Sequence, residues 1–104
     1  MVFYSITLTA NCSMRPLADL HEVGTTALTN KMRPNFFFED EYYPCQLALG
    51  ETLNAGSEGT VELQLIPAVP LDIKPGDQFE LRAAVATLAY CVVNEVREVK
   101  EINA

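Results

Sequence analysis

The chain is 104 residues long, 49% apolar and 20% charged, with 14 acidic against seven basic side chains and a formal charge of −7. That length holds one domain around one core, large enough to fold without disulfides or a metal. The acidic excess favours solubility and weighs against nucleic-acid or anionic-lipid partners, because phosphate binding needs clustered Lys and Arg.

The opening run MVFYSITLTA has neither the positive start nor the long apolar stretch of a signal peptide, so the expected compartment is the cytoplasm. No stretch of the sequence is a membrane span of ~20 apolar residues. From Val2 to Thr9 the pattern alternates. Val2, Tyr4, Ile6 and Leu8 share one face and Ser5, Thr7 and Thr9 the other, which predicts a half-buried strand with its even positions inward.

Between Ala10 and Lys31 the pattern breaks up around Met14-Arg15-Pro16 and Gly24-Thr25-Thr26. A short helical turn over Leu17 to Val23 fits, with Leu17, Leu20 and Val23 pointing inward. A connection of that length marks a candidate binding loop. Arg33 to Glu39 (RPNFFFE) reads as a strand that starts at Pro34, with Phe36 and Phe38 assigned to the core. Phe37 then faces outward as a plausible partner contact.

Cys45 to Leu49 is a further short strand, and Gly50 to Gly59 (GETLNAGSEG) is turn-forming. Thr60 to Ile66 (TVELQLI) alternates cleanly with Val61, Leu63 and Leu65 inward, and Pro67 and Pro70 end or bend it. Lys74-Pro75-Gly76-Asp77 signals a turn, and Phe79 and Leu81 face inward in the strand after it. Thr87 to Val96 (TLAYCVVNEV) is so continuously apolar that it predicts a strand buried on both faces or crossing a barrel interior. Six short strands with turn signals between them argue for an all-β closed barrel or sandwich, spanning residues 1–96. Residues 97–104 read as a polar tail that frays.

Chemistry-bearing patterns are sparse. Cys12, Cys45 and Cys91 are odd in number and far apart, and His21 is the one histidine, so a structural zinc site is not expected. The thiols read as reduced and partly buried. Neither nucleotide-binding glycine motif occurs. His21 has no nucleophile elbow to serve, and Glu39-Asp40-Glu41 reads as a solvated strand end. No catalytic residue, cofactor or metal is assigned.

The segment Ile73-Lys-Pro-Gly-Asp-Gln-Phe-Glu-Leu-Arg-Ala-Ala-Val-Ala-Thr-Leu-Ala-Tyr-Cys-Val-Val93 resembles the final hairpin of the third domain of the bacterial elongation factor Tu family. Gly76, Phe79, Arg82, Thr87, Val92 and Val93 coincide with that family's residues in a gapless match. Met32-Arg33-Pro34-Asn35-Phe36-Phe37-Phe38 is similar to its Y-R-P-Q-F-Y-F, and Thr60 to Ile66 to its V-T-L-I strand. The resemblance runs from about Val2 to Val96. It implies a six-stranded antiparallel closed β-barrel without enzymatic activity, standing apart from the family's GTPase domain and second barrel.

By the same resemblance the chain is a binding module with a protein partner, acting as a mimic or inhibitor. Arg33, Asn35, Phe37 and Arg82 are its candidate contacts. Two departures weigh against tRNA, which stands as an alternative partner. Ala89-Tyr90-Cys91 replaces the family's small G-A-G, and Ala84-Val85-Ala86 replaces a G-G-R hairpin tip, losing a positive charge and the glycines of the turn. A further alternative is a self-associating structural domain, a homodimer formed through the face that sister domains cover in the parent family.

Overall fold

The structure is a computed structural model that describes residues 2–67 and 71–103. In chain order its elements are β1 (Val2–Met14), α1 (Leu17–Leu20), β2 (Ala27–Leu28), β3 (Asn35–Phe38), β4 (Glu41–Ala48), β5 (Leu53–Asn54), β6 (Glu58–Leu65), β7 (Gln78–Ala83) and β8 (Ala86–Asn103). Six of the strands close into a barrel in the order β1-β6-β4-β3-β7-β8, and β2 pairs with β5 as a separate small sheet. Every pairing among the described residues is antiparallel. The six-stranded antiparallel closed barrel expected from the sequence is therefore the fold, and closure leaves no open edge around its wall.

Alternation builds the interior. Ile6, Leu8, Ala10, Cys12 and Met14 of β1 are buried, as are Val61, Leu63 and Leu65 of β6 and Phe79 and Leu81 of β7. Each large apolar side chain taken out of water contributes roughly 1.5–3 kcal/mol. Phe36 lies at the centre, stacked on Phe79 with ring centroids 4.2 Å apart and edge-on to Phe38 at 6.2 Å. The assignment of Phe36 and Phe38 to the core holds. Pro34 sits just before β3, where its missing N–H interrupts no ladder.

The turns follow their chemistry at Lys74-Pro75-Gly76-Asp77. Gly76 takes φ 93, the Asp77 N–H donates to the Lys74 carbonyl at 3.1 Å, and the Lys74 N–H donates to Asp77 Oδ2 at 2.9 Å. A proline followed by a positive-φ glycine is the make-up of a type II turn. The β7–β8 turn departs from the glycine rule. Ala84 adopts φ 53 with its Cβ present, a left-handed conformation that costs a residue other than glycine roughly 1–2 kcal/mol.

Several elements differ from the sequence reading. β1 continues to Met14, so the irregular connection is shorter than expected. Within it Leu20 and Leu28 are fully buried while Leu17 is 60% exposed. The segment is tied to the β4–β6 connection, where the Ala55 N–H donates to the Thr26 carbonyl at 2.9 Å and the Gly56 N–H to the Arg15 carbonyl at 3.0 Å, and it adds Leu20 and Leu28 to the core. Leu17 to Val23 forms only the single helical turn α1. Thr87 to Val96 is not buried on both faces throughout: Leu88, Ala89, Cys91 and Val93 are buried, but Tyr90 is 56% and Val92 41% exposed. β8 also runs through the supposed tail, pairing with β1 as far as Val2↔Asn103. Pro70, the Val2 side chain and Ala104 lie outside the described residues. Among the described residues no helix is long and apolar enough to cross a membrane.

Candidate protein-binding surface

Register, more than sequence proximity, assembles the outer face. Ser13 of β1 lies opposite Tyr90 of β8, Tyr90 opposite Glu80 of β7, Glu80 opposite Phe37 of β3, and Phe37 opposite Tyr42 of β4. One row thus crosses five strands and brings three aromatic side chains to the outside. Phe37 and Tyr42 are in contact, with centroids 4.8 Å apart.

Arg82 binds this row together. Its guanidinium lies 3.7 Å from the Phe37 ring centroid and 5.6 Å from that of Tyr42. Nη1 donates to the Tyr42 hydroxyl at 2.7 Å, and Nη2 is 3.0 Å from Glu80 Oε1. Nε donates to the same carboxylate at 3.1 Å, and the Thr87 hydroxyl donates to it as well. A planar cation can stack on an aromatic face while its N–H fork bonds in the plane, which an ammonium cannot do. Asn35, opposite Arg82 in the register, donates from Nδ2 to the Ala84 carbonyl at 3.2 Å and ties β3 to the β7–β8 turn.

Beside the row runs a groove of ≈ 570 Å³ lined by Phe37, Tyr90 and Val92 and by the carboxylates Glu39, Asp40, Glu58 and Glu80, with no lysine or arginine among its lining residues. Glu39 and Asp40 form the β3–β4 turn and take φ 50 and 62. Glu58 accepts from Asn11 Nδ2 at 2.8 Å. The groove therefore presents an aromatic floor between carboxylates.

Of the four residues singled out from the sequence, Asn35, Phe37 and Arg82 come together here. Arg33 does not. It donates from Nε to Gln46 Oε1 at 3.2 Å and lines a separate shallow depression with Pro44 and Ile66. Tyr42, Glu80 and Tyr90 escaped the sequence reading, because each meets its neighbours across strands far apart in the chain.

Cys91 also lines the groove, whereas His21 is not among its lining residues. Cys12, Cys45 and Cys91 are free and buried, with Cys12 directly opposite Cys91 in the register, whereas His21 is exposed. Burial pushes the Cys91 thiol pKa up, and the hydrogen bond with Cys12 adds to the shift. Among the described residues no three His, Cys, Asp or Glu side chains group so as to hold a metal ion. In comparisons with known proteins, no family model and no curated protein matches the chain.

Proposed function

We propose that this chain is a non-enzymatic protein-binding barrel whose contact surface is the Tyr90–Phe37–Tyr42 row and the acidic groove beside it. The observation that carries this reading is the row itself. Three aromatic side chains stand on one outer face, one of them 56% exposed, where a lone barrel would otherwise place polar residues. Aromatic residues beside a well-held arginine are the usual anchors of protein interfaces. The carboxylates Glu39, Asp40, Glu58 and Glu80 around the floor favour a partner segment that carries Lys or Arg among apolar residues.

The same charges work against RNA, whose phosphates need cations that this groove lacks. The sequence resemblance to the third domain of elongation factor Tu supports seeking the partner among proteins that bind that factor, with the barrel as mimic or inhibitor. Arg82 and Asn35 shape the surface, and Phe37 and Tyr90 make the contact.

The test is capture of a protein from native cell extract by the chain and by a Tyr90→Ala, Asp40→Asn variant, both positions being exposed. The variant is expected to keep its fold and lose the captured protein. Equal capture by both, or tight and salt-sensitive retention of tRNA by the parent chain, overturns the reading.

A further inference from the structure

β8 is 18 residues long, and its two neighbours do not accompany it over the same length. β7 pairs with it only from Ala86 to Val92, whereas β1 stays with it to Asn103. Beyond Val93 the β7-side edge of β8 has no partner strand among the described residues. The opposite edge of the ribbon is held at Tyr4, whose N–H donates to the Pro67 carbonyl at 3.1 Å.

That bond also sets the phase of the ribbon. With its N–H turned away from β8, Tyr4 forms a non-hydrogen-bonded pair with Glu101. Lys100, one step along, then faces β1, and Val99 and Glu101 direct their N–H and C=O groups to the open edge. The side chains there are in water: Val99 is 61% exposed, and Glu98, Lys100 and Glu101 are exposed too.

We propose that this edge pairs antiparallel with the same edge of a second copy, on a two-fold axis at Val99, so that one sheet runs across a homodimer. An unpaired row of backbone donors and acceptors is a template for strand addition. A two-fold interface must in addition complement itself. Edge-facing and inward-facing backbone groups alternate, so like must meet like, and the axis has to pass through a residue.

Placing the axis at Arg97, Glu98, Lys100 or Glu101 sets that charge against its own copy. At Val99, valine meets valine and Glu98 meets Lys100 of the second copy, twice by symmetry. Directly opposed opposite charges stabilise a strand pair, and like charges destabilise it. Arg97 is not counted, since the bulge between Thr7 and Leu8 interrupts the register there and Glu62 holds its guanidinium at 3.1 Å.

Sedimentation velocity over a concentration series reads the assembly directly, and the parent chain is expected to pass from monomer to dimer as concentration rises. Lys100→Glu makes both cross-strand pairs repulsive and raises the dimer dissociation constant by about tenfold. Adding Glu98→Lys restores the attraction and the parent constant. Val99→Pro deletes an edge-facing N–H that the monomer does not use, and it abolishes dimerisation while the barrel's circular dichroism persists. A chain that stays monomeric at the highest concentration it tolerates overturns the proposal. So does a dimer that neither Lys100→Glu nor Val99→Pro weakens.

Discussion

Cys45 donates its thiol hydrogen to the Pro34 carbonyl 3.3 Å away inside the barrel, and burial pushes its pKa up to about 12. An unfolded thiol titrates near 8.5, so between that pH and about 12 the unfolded chain releases a proton that the folded chain keeps. The stability from this group is complete below about pH 8.5 and declines as pH rises toward about 12. Cys91 shifts in the same direction, from burial first. Urea midpoints are expected to fall steadily above about pH 8.5, and a Cys45→Ala, Cys91→Ala variant to show a flatter dependence. An equal slope in both chains would sink the assignment. Burial of the cysteines was legible from residue type alone, since a free thiol behaves as a small hydrophobe. Tyr90 was not. It stands in an apolar run that reads as core, and only its register against Glu80 shows that it points out.

The β3–β4 hairpin shows why one element eluded sequence rules. A two-residue turn with positive φ at both positions is the mirror-image type that Asn-Gly supplies at little steric cost, yet here Glu39 and Asp40 occupy it with φ 50 and 62. Left-handed backbone costs an ordinary residue roughly 1–2 kcal/mol, so a reader of turn chemistry takes these acids for a solvated strand end. Replacing them as Glu39→Asn with Asp40→Gly is expected to stabilise the barrel by about 1–2 kcal/mol. The urea midpoint should rise with an unchanged m-value. Both carboxylates line the groove, so the same variant should bind the proposed basic partner less well. That pairing of higher stability with weaker binding is the usual cost of relieving strain at a contact site. No gain in midpoint would mean that the turn carries no strain.

At the scale of the molecule, strand number and inward residues could be read from alternation, because period two is local. The order of closure and the ends of the strands could not, since they depend on pairings between distant segments. Arg97 to Asn103 illustrates this. Its charges read as a fraying tail, but β1 supplies a partner from Glu98 to Asn103 and Glu62 one for Arg97. The long axis of 42 Å against widths of 23 Å fits a ribbon that extends past the barrel. A chain ended after Val96 tests how far the domain reaches. It keeps the register from Leu8↔Val96 to Met14↔Ala89, together with all of the β1–β6 pairing from Ile6↔Leu65 onward. It loses the pairs from Thr7↔Glu98 to Val2↔Asn103 and the Arg97–Glu62 contact. Exposed strand pairs contribute roughly 0.2–1 kcal/mol each, so the shortened chain should still fold cooperatively, with stability lowered by about 2–3 kcal/mol. Amide exchange at Phe3 and Ser5, whose N–H groups face the deleted residues, should lose its protection while Leu8 and Leu63 keep theirs. A molten or unfolded product would place the ribbon inside the cooperative unit of the barrel, and an unchanged midpoint would reduce it to a tail after all.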